Sequence, residues 1–295
     1  MYIPDVELHE ASSLSEASAL LARHAPDARL LAGGTDLLVD LKTARLHARC
    51  LISLDRIPGL SGVSVRNGRL HIGALTTIRQ LSESPVLRGP WQAIRDAALQ
   101  MAAPQVRNLA TVGGNIASSV PCADLPPILT ALRGSVVLFS GAAQREVALE
   151  SFFLGPRCNV LAAGEILTEV ILPAPTRNSG AAYERFALRD GNGIAVAAVA
   201  AWLALDGGRV RDARIVLGAV APVPKPAHAA GALLIGRAPD EDAFEEAAQA
   251  AMQSAEPISD VRGSAGYRRE LVRVLTRRAL RTACRRACGG EGGLA

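Results

Sequence analysis

Two glycine pairs in this chain have the composition of loops that bind phosphate groups. The first lies in Ala32-Gly33-Gly34-Thr35-Asp36 and the second in Thr111-Val112-Gly113-Gly114-Asn115. Adjacent glycines let the main chain approach a bulky anion, and they allow a positive φ so that successive N–H groups converge. Both segments carry a threonine and precede an apolar residue that can begin a helix, whose N-terminus favours negative charge. Together they predict a ligand with two phosphates.

A single carboxylate, Asp124, follows the second glycine pair between Pro121 and Pro127. A carboxylate can accept a hydrogen bond from a sugar hydroxyl, but an aspartate just before Leu125 is also a typical N-cap of a helix. Neither glycine pair matches the G-x-G-x-x-G fingerprint or the P-loop pattern. The residues alone therefore predict a diphosphate-containing ligand and leave the role of Asp124 open.

The composition argues against several other classes of protein. The chain has 295 residues, of which nearly half are hydrophobic and a fifth charged, so two or three compact units are expected. The net charge is only +4 and much of it lies in residues 268–286, which does not indicate a nucleic-acid interface. The apolar residues of that basic segment fall on one stripe, which favours a docked helix with a solvated basic face.

Targeting and cysteine patterns give further expectations. The N-terminal residues contain no apolar signal region, and no apolar run reaches the ~18 residues that span a bilayer. We therefore expect a soluble, cytoplasmic protein without a membrane span. The sequence contains no C-x-x-C pair, so it predicts reduced thiols and no metal site, with a metal at Cys284 and Cys288 as the lesser alternative. The cysteines are Cys50, Cys122, Cys158, Cys284 and Cys288.

Three predicted units position the two glycine pairs and Asp124. Residues 1–55 have the pattern of a βαβ-type unit whose second strand, at 28–32, runs into the first pair. Residues 56–175 contain a hairpin turn at Arg66-Asn67-Gly68-Arg69, further helices, and a helix over 124–133 with prolines in its first turn. Residues 181–290 show three strand runs followed by two helices, which predicts an antiparallel sheet with helices on one face. The fold class is α+β.

The finer predictions mark turns and element ranges. Turns are expected at 141–144, 190–193 and Asp206-Gly207-Gly208. The predicted strands are residues 5–8, 28–32, 50–54, 135–139, 166–172, 181–188, 194–206 and 211–221. The predicted helices are residues 13–24, 37–44, 77–82, 92–101, 124–133, 240–254 and 266–288.

The sequences AGGTDLLVDLK at 32–42 and PQVRNLATVGGNIASSVPCADLPP at 104–127 resemble the FAD-binding subunit of the molybdenum hydroxylases. That family includes xanthine dehydrogenase and the medium subunit of carbon monoxide dehydrogenase. The resemblance continues to RIVLGAVAPVP at 214–224 and so spans nearly the whole chain. It implies a two-part FAD-binding domain of the vanillyl-alcohol oxidase (PCMH) type, with subdomains at 1–55 and 56–175. A C-terminal sheet-and-helix domain of the carbon monoxide dehydrogenase flavoprotein type would follow at 181–290.

The resemblance also implies cofactor contacts. Residues 30–37 would wrap the FAD pyrophosphate and reach the flavin edge with Leu37. Residues 111–115 would add phosphate and ribityl contacts, and Asp124 would accept a hydrogen bond from a sugar or ribitol hydroxyl. Leu167 and Ile194 would lie near the flavin, and Arg185 would stabilise its reduced form. For Arg185, a surface position on an edge strand is an equally open alternative. The implied residues are Leu30, Leu31, Ala32, Gly33, Gly34, Thr35, Asp36, Leu37, Thr111, Val112, Gly113, Gly114, Asn115, Asp124, Leu167, Arg185 and Ile194.

By resemblance, the chain is an oxidoreductase subunit that needs no catalytic acid, base or nucleophile of its own. FAD is expected on this chain, and the molybdenum cofactor and [2Fe-2S] clusters on a large and a small partner subunit in a dimer of heterotrimers. Electrons would pass from those clusters through FAD to NAD or another acceptor. The alternative is a stand-alone FAD-dependent oxidoreductase of the vanillyl-alcohol oxidase type, which would need a substrate cap domain. A nucleotide-binding scaffold without enzymatic function has less support.

Overall fold

A parallel three-stranded sheet lies at the start of the chain and carries the first glycine pair. The computed structural model describes residues 5–141, 143–189 and 191–289. The strands of this sheet run in the order β1-β3-β2, and helix α1 connects β1 to β2, which confirms the predicted βαβ pattern. The elements are β1 (Glu7–Glu10), α1 (Leu14–Arg23), β2 (Ala28–Leu31), α2 (Leu37–Lys42) and β3 (Cys50–Ser53).

The second sheet is antiparallel and has five strands. Its first hairpin turns at Asn67 and Gly68, whose φ angles of 52° and 75° are the positive values that a two-residue hairpin turn requires. This confirms the predicted turn. The strands are β4 (Val63–Arg66), β5 (Arg69–Gly73), β6 (Ser135–Ser140), β7 (Ala143–Ala148) and β10 (Ile166–Leu172), in the order β4-β5-β10-β6-β7. A separate small pair consists of β8 (Phe153–Gly155) and β9 (Cys158–Asn159).

Five helices lie in this central region, and one of them, α6 (Val112–Ala117), packs on the second sheet. Between the predicted helices at 92–101 and 124–133 the structure has two short helices that were not predicted, and the second of them includes both glycines. β7 begins at Ala143, inside the turn predicted at 141–144, of which Ala142 lies outside the described residues. The helices are α3 (Ile78–Glu83), α4 (Gln92–Gln100), α5 (Pro104–Arg107), α6 (Val112–Ala117) and α7 (Leu125–Ala131).

The third sheet is antiparallel and is covered on both faces. Its order is β11-β12-β13-β14, and Gly207 and Gly208 turn between β12 and β13 as predicted. Alternate residues of β12 contribute to two different cores, one shared with α4 and α7 and the other with α9 and α10, because side chains alternate along a strand. The elements are β11 (Ser179–Ala187), β12 (Ala195–Asp206), β13 (Arg209–Gly218), β14 (Lys225–Pro226), α8 (His228–Ala232), α9 (Glu241–Ser254) and α10 (Ala265–Ala287).

The basic helix α10 is docked on the third sheet, as its apolar stripe predicts. Its basic face is not simply solvated, however, because several arginines pair with carboxylates of neighbouring elements. Arg277 pairs with Glu245 and Arg281 with Glu241, both on α9, and the buried Arg268 pairs with Asp260. Among the described helices, none is both long and apolar enough to cross a bilayer.

Candidate cofactor-binding site

The two glycine pairs, far apart in sequence, come together in space. A Cβ atom added to Gly33 would lie 1.8 Å from the carbonyl oxygen of Leu109, so the first loop touches the main chain just before Thr111. Only glycine permits so close an approach. The structure thus places the two segments side by side, as a single ligand in contact with both requires.

The first glycine pair presents unused backbone donors. The N–H groups of residues 33–36 find no acceptor within the described parts of the chain, and the first bonded amide after them is that of Leu38, which donates to Gly34 O at 3.0 Å. Gly34 has a φ of +68°. Consecutive free N–H groups around a residue of positive φ form a concave donor set suited to an anionic oxygen.

The second glycine pair is organised differently. Thr111 caps α6 by accepting a hydrogen bond from the Gly114 N–H group at 3.1 Å. The Gly113 N–H group donates to Ala74 O at 2.8 Å, and that of Asn115 donates to Thr111 O at 2.9 Å. In contrast with the first pair, the N–H groups of the second pair are therefore used in hydrogen bonds within the protein. The amide nitrogen of the Asn115 side chain donates to no acceptor in the described ranges.

Asp124 is buried and does not cap α7 with its side chain. It occupies the N-cap position, but Leu125 N–H donates instead to Asn115 Oδ1 at 3.3 Å. Tyr183 donates its phenolic proton to Asp124 Oδ1 at 2.7 Å. Burial raises the pKa of Asp124 to about 6, while the positive charge of Arg185 and the hydrogen bond from Tyr183 oppose that rise. The N-cap alternative is therefore wrong for the side chain.

Arg185 lies on β11, an edge strand of the third sheet, but its side chain is only 6% exposed. The guanidinium donates to Gln100 O and Gly193 O, and Arg185 Nε lies 3.5 Å from Asp124 Oδ1. This buried Nε atom has no hydrogen-bond partner among the described residues. The surface alternative for Arg185 is therefore wrong, and a buried cation with an unused donor stands beside Asp124.

Tyr183 also belongs to this cluster, although no chemical role was predicted for it. It shares a strand face with Arg185 because residues two apart on a strand point to the same side. Burial, followed by the charge of Asp124, raises the pKa of Tyr183 well above its ordinary value, so the phenol stays a proton donor. The i, i+2 spacing of a tyrosine and an arginine on a predicted strand is the signal that could have identified this pair.

The remaining predicted residues occupy diverse environments. Leu167 is buried on β10 in the same apolar core as Tyr183, whereas Ile194, just before β12, is 56% exposed. Leu30 and Leu31 end β2, and Leu37 begins α2. No described hydrogen bond or ion pair links Leu167 or Ile194 to the Asp124 cluster. Asp190, in the turn predicted at 190–193, lies outside the described residues.

Cys122 lies two residues before Asp124, and its side chain is partly buried. Burial raises the pKa of its thiol, the positive charge of Arg262 opposes this, and Asp124 and Asp36 both add to the increase. The candidate site thus combines Gly33–Asp36 donors, Asn115 and the Asp124–Tyr183–Arg185 cluster.

Comparison with known proteins gives matches along nearly the whole chain. Residues 4–175 match the family described as FAD binding domain in molybdopterin dehydrogenase, and residues 181–283 match the CO dehydrogenase flavoprotein C-terminal domain. The chain is 35% identical to the carbon monoxide dehydrogenase medium chain of Hydrogenophaga pseudoflava, over 96% of this chain and 98% of that protein. It is 31% identical to the xanthine dehydrogenase FAD-binding subunit of Escherichia coli O157:H7, over 96% and 97% of the respective chains.

Solved structures agree with these matches. Carbon monoxide dehydrogenase from Hydrogenophaga pseudoflava superposes with a TM-score of 0.94 at 36% identity, covering 97% of this chain and 99% of that one. Quinoline 2-oxidoreductase from Pseudomonas putida 86 gives a TM-score of 0.91 at 32% identity, with 98% and 99% covered.

The fold and the site define a flavoprotein subunit of an oxidoreductase. The chain belongs to the family of FAD-binding medium subunits of the molybdenum hydroxylases. The α+β fold class, with an FAD-binding domain followed by a carbon monoxide dehydrogenase flavoprotein C-terminal domain, is confirmed.

Proposed function

We propose that this chain holds FAD where the two glycine pairs meet and acts as the electron-transferring subunit of a molybdenum-containing dehydrogenase. The observation that carries this proposal is the row of unused N–H donors at residues 33–36, next to the segment that leads to the Asp124 cluster. Converging donors suit pyrophosphate oxygens, and a buried cation suits the flavin end. FAD held there would supply the redox chemistry between the [2Fe-2S] clusters of a partner subunit and NAD or another acceptor.

Each residue of the proposed site has a binding or orienting task. Residues 30–37 wrap the pyrophosphate, and residues 111–115 contribute mainly the free side-chain donor of Asn115. Both contacts of Asp124 involve Oδ1, so Oδ2 is the atom that accepts a hydrogen bond from a sugar or ribitol hydroxyl. Arg185 holds a positive charge toward the flavin, and Leu167 and Ile194 provide apolar surface near it.

The proposed domain division places this site between units. We propose FAD-binding subdomains at 1–55 and 56–175 and a C-terminal domain at 181–290. In support, each range contains one main sheet, although Asp124 from the second range and Tyr183 from the third share a hydrogen bond. The site therefore depends on how the second and third units pack together.

The proposed partners are a large subunit with the molybdenum cofactor and a small subunit with [2Fe-2S] clusters, arranged as a cytoplasmic dimer of heterotrimers. Several similar proteins are named as medium chains or as parts of a complex, including the 6-hydroxypseudooxynicotine dehydrogenase complex subunit alpha of Paenarthrobacter nicotinovorans at 32% identity. Their names support a heteromeric assembly for this chain. Neither nucleic acid nor membrane has a part in the proposal.

Purification of the full chain with and without its partner subunits tests this function. We expect heat to release about one equivalent of FAD, and we expect organic substrate to reduce the flavin only when both partners are present. The isolated chain with the same substrate is the control. Flavin reduction in the isolated chain contradicts the proposal and favours the stand-alone oxidoreductase. Failure of the chain to retain FAD after reconstitution contradicts the proposed cofactor.

A further inference from the structure

Three metal-ligating side chains converge in the first sheet, away from the Asp124 cluster. His9 lies on β1, His24 is the C-cap residue of α1, and Cys50 begins β3. One nitrogen or sulfur atom from each lies within 4.8 Å of the others. None of the three has a task in the proposed FAD site.

The sheet register explains why residues so far apart in sequence meet. β1 pairs with β3 in parallel, and Glu7 is the register partner of Cys50. His9 is two residues after Glu7 and therefore points to the same face. Cys50 packs in the apolar core that includes Ala17 of α1, so this face lies under the helix that ends beside His24.

The contacts within the cluster leave one imidazole nitrogen without a hydrogen bond to any described residue. His9 Nε2 is buried and has no hydrogen-bond partner in the described part of the chain, although Glu7 Oε1 lies 3.1 Å away. The ring of His24 lies 5.3 Å from that of His9, at an interplanar angle of 38°. A nitrogen and a carboxylate oxygen at this distance, without hydrogen-bond geometry, are an arrangement that a shared cation stabilises.

The ligand types select the cation. Two imidazoles, a thiolate and a carboxylate match tetrahedral zinc, whereas calcium and magnesium prefer oxygen ligands alone. Zinc bonds of about 2.0–2.3 Å place ligand atoms roughly 3.3–3.8 Å apart. A modest inward movement of His9, His24 and Cys50, now within 4.8 Å of one another, brings three ligands to these distances, and rotation of the exposed Glu7 side chain supplies the fourth.

We propose that His9, His24 and Cys50, with Glu7 as the fourth ligand, bind a zinc ion that ties β1, β3 and the end of α1 together. Burial and then the charge of Glu7 raise the pKa of Cys50, so zinc must displace the thiol proton, which leaves to solvent. The expectation of no metal rested on the lack of a C-x-x-C pair. Register pairing supplies the proximity that sequence spacing does not.

Metal titration of the reduced, chelator-treated full chain tests the site. We expect one equivalent of Zn²⁺ to bind and to raise the thermal unfolding midpoint. Co²⁺ in its place should give a near-ultraviolet thiolate charge-transfer band and tetrahedral visible bands. Cys50→Ser and His24→Gln should weaken binding at least about 100-fold, more than the loss of an outer-shell partner.

Matched variants keep the test decisive. Cys158→Ser and His47→Gln replace exposed residues outside the cluster and should bind zinc as the wild type does. Because Cys50 is buried, its replacement can disturb folding, so the partly exposed His24 provides the second variant. Equal binding by wild type and His24→Gln, or a Co²⁺ spectrum without the thiolate band, overturns the proposal. Binding that is lost only in Cys284→Ser also overturns it.

Discussion

The two glycine pairs have nearly the same composition and opposite local structures. At Gly33 and Gly34 the backbone donors are unused, whereas at Gly113 and Gly114 the N–H groups bond to Ala74 O and Thr111 Oγ1. In the first pair the backbone N–H groups are thus available to a ligand. In the second pair the absence of side chains lets the backbone pack closely against the rest of the protein. Identical residue types therefore do not imply identical roles.

The neighbouring elements explain this difference. β2 stops pairing with β3 at Leu31, so the chain that follows leaves the sheet with its N–H groups unpaired. Thr111 instead forms an isolated bridge with Thr77 and caps α6. The N–H groups of the first pair remain unbonded within the described residues because that pair follows the end of a strand. The N–H groups of the second pair are bonded within the protein because that pair lies in the first turn of a capped helix.

The largest effect is expected for Gly33→Ala, which breaks the contact between the two segments. Its Cβ would lie 1.8 Å from Leu109 O, a backbone atom that cannot move alone. We expect a loss of at least about 3 kcal/mol in unfolding free energy and loss of bound FAD. Urea unfolding and flavin absorbance measure the two effects.

Gly266→Ala is the matched control, because no atom lies within 4 Å of its added Cβ and the residue is in the first turn of α10. It should leave stability unchanged or raise it by up to about 1 kcal/mol. A Gly33→Ala chain that is as stable as wild type and retains FAD would show that the two segments do not require this contact.

The second largest effect is expected for the pH dependence of stability, through the carboxyl group of Asp124. Its pKa in the folded chain is about 6, above the ordinary 3.8, so the folded state binds the proton more tightly than the unfolded state. Stability from this group is present at low pH and is lost as pH rises through about 6. The rise of this pKa from 3.8 to about 6 corresponds to about 3 kcal/mol.

Asp124→Asn removes this titration. The difference in unfolding free energy between wild type and variant should therefore shift by about 3 kcal/mol in favour of wild type as pH falls from above 6 to below 4. Urea unfolding across that pH range measures it, with the exposed Asp55→Asn as control. Parallel stability curves for wild type and Asp124→Asn contradict the assignment.

Local chemistry made most elements of the fold predictable. Asn67-Gly68 and Gly207-Gly208 turn where predicted, because few other residues adopt positive φ readily. The continuous apolar run of β12 predicted a buried strand, and both of its faces are covered. What the residues alone did not show is which elements cover it, since that depends on contacts distant in sequence.

The sequence identified several residues of the candidate site but not the contacts between them. The location of Asp124 was evident, yet its bond to Tyr183 and its nearness to Arg185 join residues about 60 positions apart. The burial of Arg185 depends on carbonyl groups of Gln100 and Gly193, which no local pattern indicates. Whether a glycine N–H group stays free likewise depends on Ala74, which contacts Gly113 only in the folded chain.

A smaller difference in stability is expected between alanine variants of the two glycines in the second pair. In Gly113→Ala the new Cβ would lie 2.7 Å from Ala74 Cβ and 2.9 Å from Ala74 O, so we expect a loss of about 1–3 kcal/mol. In Gly114→Ala the near atom is Thr111 Oγ1 at 2.9 Å, a side chain that can rotate. Loss of the cap and gain in helix propensity nearly cancel, to within about 1 kcal/mol.

Thermal and urea unfolding of both variants check this order, with bound FAD measured in parallel. Since both glycine N–H groups are already bonded within the protein, neither variant should lose FAD affinity beyond what its instability causes. Weak FAD binding by a fully stable Gly114→Ala chain would mean that the second pair contacts the cofactor directly with its backbone.

The smallest effects compare the threonines beside the two pairs. Thr111 caps α6, so Thr111→Ala should cost about 1 kcal/mol of stability. Thr35 has no described hydrogen bond, so Thr35→Ala should leave stability within about 0.5 kcal/mol. If its hydroxyl binds a phosphate, FAD affinity should fall about tenfold, as expected for a hydrogen bond to a charged group.

Calorimetric FAD titration and urea unfolding should be applied to both variants, so that FAD affinity and stability are compared for each. Thr111→Ala should lose stability with little change in FAD affinity, and Thr35→Ala should do the reverse. Because each variant removes the same atoms from the same residue type, differences in side-chain size cannot account for the result. Equal changes in both quantities for both variants would mean that the two glycine pairs are equivalent in the cofactor complex, against the difference in their backbone hydrogen bonds.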